Sequence, residues 1–346
     1  MSRWWKIVAV IVVAIPILIL GAGTGLLVWK FGWEAGSAFL RGAFLGAKSR
    51  PLTSRTFERT PARLERGKYL LENLTGCFAC HSETDPETDV PLPGKLGAGI
   101  VRNIPEVPFP IIYSNITPDP ETGAGSWTDD MLARAIREGI GHDGRPLLPI
   151  MLYEVYKDMS DEDLASVVVY LRSIPPVRNP LPKPKLPFPY NLAVKGFPEP
   201  ITRPMPSPDF SDPIERGEYL IELGSCVNCH VVEDLEGRRL PFAGGQLVEA
   251  LSGEKVAAAN LTPDPSGISY YDEDIFIGVM RTGRVGGVRE LSTAMPIRFR
   301  GLTDEDLKAI FAYLQTVKPV KHRVDNTAPP TYCKLCGRTH GYGERN

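Results

Sequence analysis

The sequence is poor in cysteine and histidine, with six and five among its 346 residues. Six cysteines are too few to staple a chain of this length as a disulfide scaffold. Charge of one sign is lacking too. The 39 Lys and Arg against 41 Asp and Glu leave a net charge of −2, which gives no global reason to expect nucleic acid as a partner. No convincing alternating pattern of a β-strand appears, so the helical periods point to an all-α protein. Wholesale disorder is excluded by 43% apolar and 23% charged residues. What is plentiful is proline, whose 33 residues are nearly twice the roughly 5% average. The length exceeds what a single core usually serves, so two or more domains are expected.

Residues Ile7 to Trp29 carry no charge. As a helix this run would extend about 35 Å, enough to cross the roughly 30 Å hydrocarbon core of a bilayer. Trp4, Trp5, Trp29 and Trp33 flank it at the levels of the two interfaces. Arg3 and Lys6 favour a cytoplasmic N-terminus. The run is longer than the apolar region of a signal peptide and shows no clear cleavage site, so it reads as an uncleaved anchor. The expectation is a single-pass bacterial inner-membrane protein whose remaining chain lies on the periplasmic side.

The rest of the chain contains the same text twice. Arg66-Gly-Lys-Tyr-Leu70 returns as Arg216-Gly-Glu-Tyr-Leu220, and Cys77-Phe-Ala-Cys-His81 returns as Cys226-Val-Asn-Cys-His230. Asn115-Ile-Thr-Pro-Asp-Pro120 returns as Asn260-Leu-Thr-Pro-Asp-Pro265, and Asp161-Glu-Asp-Leu164 as Asp304-Glu-Asp-Leu307. The order is kept and the offset drifts from 150 to 143, as in tandem domains with small deletions. A period this long is not that of a solenoid. Between the copies, Pro175 to Pro208 holds 12 prolines in 34 residues and reads as an extended, stiff strap. Leu186, Phe188, Tyr190 and Phe197 suit a strap that lies against the domains.

Each half reads as helical. Ser160 caps a helix whose Leu164, Val167, Val168 and Leu171 form one apolar face, and Thr303 caps its repeat with Leu307, Ile310, Phe311 and Leu314. Further helices start near Thr128 and Asp272 and cover about 62–74 and 214–223. Gly67 and Gly217 interrupt the last pair at matching places. Each costs about 1 kcal/mol against Ala, which predicts a close crossing near Tyr170 and Tyr313.

Cys-x-x-Cys-His is the attachment signature of c-type heme. Two thiols add to the porphyrin vinyl groups, and the adjacent His offers its imidazole to the iron. Composition alone would produce such a match roughly 0.0015 times in this chain, so two matches are a strong signal. A redox-active dithiol or half of a zinc site are the alternatives, and no second ligand pair lies near either motif. Two covalent hemes are therefore expected, on Cys77, Cys80 and His81 and on Cys226, Cys229 and His230. For the distal iron ligand, only Met151 and Met295 match across the halves, at an offset of 144. Met131, Met159 and Met280 align with apolar positions and read as core, and Met205 lies in the strap. His142 competes for the first iron, but its counterpart near Gly286 is not His.

These motifs, with Gly123-Ala-Gly-Ser-Trp127, Gly144-Arg-Pro146 and Leu186-Pro-Phe-Pro-Tyr-Asn191, resemble the class I cytochrome c domains of multiheme cytochrome subunits. Those subunits serve membrane-bound alcohol, gluconate and sorbitol dehydrogenases. The resemblance spans about residues 60–320 and implies two tandem class I cytochrome c domains behind a transmembrane helix. Residues 1–52 would be anchor and juxtamembrane segment, 53–178 the first domain, 179–209 the strap, 210–320 the second domain and 321–346 a tail. Two departures stand out: two heme motifs where such subunits commonly have three, and Met151-Leu152 where Met-Pro is common.

The tail holds a third pair, Cys333 and Cys336, followed by Gly337, with His340 beyond. A local disulfide, a metal site of Cys333, Cys336 and His340 with a ligand from elsewhere, a degenerate heme site and unmodified thiols remain open. The function expected is a membrane-anchored diheme cytochrome c that relays single electrons in a respiratory chain. Its donor would be a dehydrogenase or quinol-oxidising complex, and its acceptor a terminal oxidase or soluble cytochrome. A diheme peroxidase or thiosulfate-oxidising enzyme and a fixed wiring subunit of an oxidase complex are the rivals.

Overall fold

The computed structural model describes residues 3–86, 88, 90–104, 107–250, 253–286 and 289–341, and the side chains of residues 3–13 and of Pro16 lie outside that description. Helix α1 (Arg3–Phe31) is followed by α2 (Trp33–Leu45). The first repeat contains α3 (Pro61–Asn73), α4 (Cys77–His81), α5 (Asp129–Glu138), α6 (Tyr153–Tyr156) and α7 (Asp161–Leu171). The strap carries α8 (Tyr190–Ala193). The second repeat contains α9 (Pro213–Leu223), α10 (Cys226–Cys229), α11 (Glu273–Thr282) and α12 (Asp304–Thr316).

Short antiparallel pairs fill the loops: β1 (Ile100–Arg102) with β2 (Ile111–Tyr113), β3 (Val231–Glu233) with β4 (Arg239–Pro241), and β5 (Leu247–Glu249) with β6 (Lys255–Ala257). Two more are β7 (Arg284–Val285) with β8 (Arg289–Glu290) and β9 (Pro330–Tyr332) with β10 (Thr339–Gly341). The expected all-α class is thus corrected, since only 39% of the chain is helical and several small sheets are present. Strands of two or three residues are too short to write an alternating pattern into the sequence.

The membrane expectation is corrected as well. Among the described residues no helix is long and apolar enough to cross a membrane, so neither a transmembrane anchor nor a single-pass inner-membrane placement is carried by the fold. Part of the described run is spent on protein contacts: Leu27 is buried with Phe39 and Ala193. Gly23 leaves room for the Phe39 ring. On α2, Gly42 packs on the Leu192 carbonyl, and Gly196 in turn packs on that of Ala38. The two N-terminal helices form a hairpin seated on the strap.

The strap itself is not wholly extended. Its middle turns into α8, where Tyr190 meets Phe109 edge-on at 5.0 Å and Phe188 meets Phe39 at 5.8 Å. Farther on, Met205 and Asp161 exchange two hydrogen bonds of 2.8 and 3.0 Å.

In each half the first and last long helices cross, α3 on α7 and α9 on α12. The Ser160 and Thr303 hydroxyls accept from the Asp163 and Asp306 N–H groups, as their cap positions demand. The crossing explains the repeated glycines. A Cβ at Gly67 would strike the Ser166 carbonyl and the Tyr170 Cβ, and one at Gly217 the Ala309 carbonyl and the Tyr313 Cβ.

One apolar cluster runs through both halves, from Leu70, Leu74 and Val168 to Leu220, Phe311 and Leu314. The seam is reciprocal. Arg66 binds Asp163 through two bonds of 2.8 Å, and Tyr219 of the other half donates to the same carboxylate at 2.8 Å. In mirror fashion Arg216 binds Asp306 at 2.6 Å, and Tyr69 of the first half donates to it. Each tyrosine also accepts from the cap of the opposite helix, at Ser160 N–H (3.0 Å) and Thr303 N–H (3.1 Å). Burial, reinforced by Asp306, pushes the Tyr69 phenol up to about 12, so it remains a donor. Phe210 lies between the guanidinium groups of Arg66 and Arg216. This is the geometry of a two-fold interface built within one chain.

Candidate cofactor sites

The Cys-x-x-Cys-His motifs each begin with a residue in the left-handed region, Gly76 (φ 68) and Ser225 (φ 58), and then form a helical turn. Cysteines three residues apart on a helical turn share one face, and the histidine follows directly. His81 places Nδ1 2.7 Å from the Ser114 carbonyl, and His230 places Nδ1 2.8 Å from the Ala259 carbonyl. A carbonyl only accepts, so Nδ1 carries the proton and Nε2 is left to ligate. Burial moves both imidazoles below their ordinary range, which keeps them neutral as a metal ligand must be.

The accepting carbonyls are fixed by a network that sequence reasoning used only as a repeat marker. Asn115 accepts from the Thr117 N–H (3.0 Å) and hydroxyl (2.7 Å) and donates to the Val177 carbonyl at 2.7 Å. Asn260 does the same with Thr262 (2.9 and 2.8 Å) and the Val320 carbonyl (2.9 Å). The Asn-x-Thr-Pro-Asp-Pro turn thus ties the residue holding the histidine to the chain leaving the last helix. Its recurrence in both halves was the available signal.

The distal sides differ. In the first half Cys77, Cys80, His81 and Met151 all line one cavity of about 320 Å³, within the range of cofactor sites. Tyr113 and Trp127 add aromatic wall, and Leu186, Asn191 and Lys195 of the strap help to close it, a contribution the sequence did not reveal. His142 stacks flat on Trp127 at 4.2 Å and is not part of the lining. In the second half Met295 lines a separate cavity of about 60 Å³ with Met280 and Pro296, and Cys226, Cys229 and His230 do not line it. The residues present fit a c-type heme on both proximal sides: paired sulfurs, a neutral imidazole with an oriented free nitrogen, and in the first half a cavity reaching a thioether.

Arg298 links the two turns. It reaches from the second half to the Leu74 carbonyl (3.3 Å) and packs on Gly76. Burial pushes the Cys77, Cys226 and Cys229 thiols up, and the Arg298 charge opposes that shift at all three. One guanidinium therefore sits within reach of both attachment turns.

In the tail, Cys333, Cys336 and His340 are buried together and His322 joins them.

No family model matches the chain. It is 28% identical over 325 residues to a nicotinate dehydrogenase subunit of Pseudomonas putida, covering 90% of this chain and 25% of that one. It is 32% identical over 312 residues to the fructose dehydrogenase cytochrome subunit of Gluconobacter japonicus, covering 84% and 60%. A diheme cytochrome c-type protein of Cereibacter sphaeroides is 27% identical over 265 residues, covering 71% and 83%. The chain thus spans a quarter and three fifths of the length of the first two relatives. Motifs and relatives agree, and the chain is a homologue of the cytochrome c subunits of alcohol, fructose and gluconate dehydrogenases and of a diheme cytochrome c-type protein.

Proposed function

We propose that the chain is a diheme cytochrome c that relays single electrons in a respiratory chain. A dehydrogenase or quinol-oxidising complex is the donor, and an oxidase or soluble cytochrome the acceptor. The observation that carries this reading is the duplicated proximal geometry, with two Cys-x-x-Cys-His turns whose histidines each donate Nδ1–H to a carbonyl.

A covalently held heme supplies a one-electron iron couple. The chain's own residues do the rest. Cys77 and Cys80, and Cys226 and Cys229, would hold the heme by thioether bonds. His81 and His230 would offer Nε2 in a set orientation. Met151 and Met295 would offer soft thioether sulfur, which favours the reduced state. Tyr113, Trp127 and Ile111 exclude water around the first site. The reciprocal Tyr–Asp seam holds the halves at a fixed separation.

The test is the rate at which purified protein takes electrons from a quinol-linked dehydrogenase and passes them to an oxidised soluble cytochrome. Turnover of both steps with no consumption of peroxide or thiosulfate supports the relay. Peroxide or thiosulfate turnover would overturn it in favour of an enzyme.

A further inference from the structure

His322, Cys333, Cys336 and His340 converge in one buried cluster, none more than 8% exposed. One ligand atom from each lies within 4.8 Å of all the others. The cysteines sit on the turn between β9 and β10. There Cys333 N–H donates to the Arg338 carbonyl (2.8 Å) and Gly337 N–H to the Cys333 carbonyl (2.9 Å). Gly337 takes a positive φ of 67° directly after the second cysteine, which folds the turn so that both sulfurs share one side. His340 follows on β10. His322 comes from the segment leaving α12, the ligand from elsewhere that the sequence could not name.

The two imidazoles are set for a cation. His322 Nδ1 is 2.9 Å from the Ala243 carbonyl, and His340 Nδ1 is 3.1 Å from the Gly341 carbonyl. Both Nδ1 atoms therefore donate, and both Nε2 atoms present lone pairs. Those two nitrogens face each other at 2.9 Å, and Cys333 Sγ is 3.4 Å from the His322 Nε2. Facing lone pairs repel unless a positive charge stands between them. A shared proton would leave a buried monocation. A divalent ion taking two thiolates and two neutral imidazoles is electrically neutral, which suits a dry site. Tetrahedral bonds of about 2.0–2.1 Å to nitrogen and 2.3 Å to sulfur put neighbouring ligand atoms roughly 3.3–3.8 Å apart, which spans the 3.4 Å between Cys333 Sγ and His322 Nε2 and lies inside the 4.8 Å that bounds the cluster.

The repeat supplies an independent argument. The position of His322 is Asn179 in the first half: Asn179 N–H bonds the Thr122 hydroxyl as His322 N–H bonds that of Ser266. The Asn179 amide donates to the Ala98 and Gly99 carbonyls. His322 keeps that donation through Nδ1 and gains a second nitrogen, aimed at the tail, in the half where a cysteine-bearing tail exists.

We propose that His322, Cys333, Cys336 and His340 form a tetrahedral Zn²⁺ site that clamps the tail onto the second repeat. Binding converts two thiols to thiolates and releases their two protons to solvent, with no change of oxidation state. The clamp fastens a segment already laid across the loops of the second half. Leu235 N–H bonds the Leu335 carbonyl at 3.1 Å, Arg338 bonds Gln246 at 2.7 Å, and Asn326 pairs with both backbone groups of Ala257 at 2.9 Å.

The test is elemental analysis and zinc X-ray absorption on the full, heme-loaded chain. The expected result is about one zinc per chain in an S₂N₂ shell. Cys336→Ser and His322→Ala should each lower zinc to below about a tenth per chain with heme content unchanged. Absence of zinc after incubation with excess Zn²⁺ overturns the proposal. So does a Cys333–Cys336 disulfide found by peptide mapping, or a shell of oxygen ligands. The wild-type absorption spectrum decides the matter even where a variant fails to fold.

Discussion

The two halves are built alike on the proximal side of each Cys-x-x-Cys-His turn and differently on the distal side. Both histidines find a carbonyl at the same place in the repeat, and both carbonyls are fixed by the same Asn–Thr pair. Yet Met151 shares a cavity of about 320 Å³ with His81, while Met295 sits in a cavity of about 60 Å³ apart from His230. The proximal side depends on short-range chemistry within the motif and on one turn at a fixed place in the repeat, so duplication reproduces it. The distal side depends on long loops that were free to change, and in the first half on a strap that has no second copy.

Removing one side of the comparison outright gives the largest effect. Replacing Cys77 and Cys80 by Ala, or Cys226 and Cys229, should halve the covalent heme per chain, read by pyridine hemochrome and intact mass. Loss of both hemes from either variant would show that the halves do not load independently. Next come the two methionines proposed as distal ligands. Met151→Ala and Met295→Ala should each lower one of two potentials by on the order of 100 mV and open that heme to carbon monoxide. A Met295→Ala protein that stays closed to carbon monoxide removes Met295 from the ligand set.

The seam offers a smaller, symmetric effect. Tyr219→Phe strips a donor from Asp163 and an acceptor from the Ser160 N–H, at a cost of about 1–3 kcal/mol in unfolding free energy, and Tyr69→Phe should match it. Unequal costs would break the internal two-fold. The smallest effect belongs to Arg298, whose charge acts on both attachment turns. Arg298→Leu should lower both potentials by about 40 mV, equivalent to on the order of 1 kcal/mol each. A shift in only one potential would assign the guanidinium to a single site.

Much of the fold is legible in the sequence because duplication prints each structural need twice. The caps at Ser160 and Thr303, the crossings at Gly67 and Gly217 and the proximal histidines are local or paired features, and each leaves its mark within a few residues. The short strands are not legible, since two residues carry no period. The apolar run at the N-terminus misleads, because Leu27 and Gly23 serve packing against Phe39 and composition cannot tell a protein neighbour from a lipid one. His322 is invisible as a ligand because its partners, Cys333 and Cys336, come from a hairpin that only the tertiary fold brings back. Arg298 carries no motif at all.

The central claim is that each half holds one heme between a histidine and a methionine. Redox titration of the purified protein with optical spectra tests it most directly. The account predicts two equivalents of heme c, two one-electron transitions, and low-spin spectra in both oxidation states. A single transition, or a high-spin heme in the reduced protein, would contradict it.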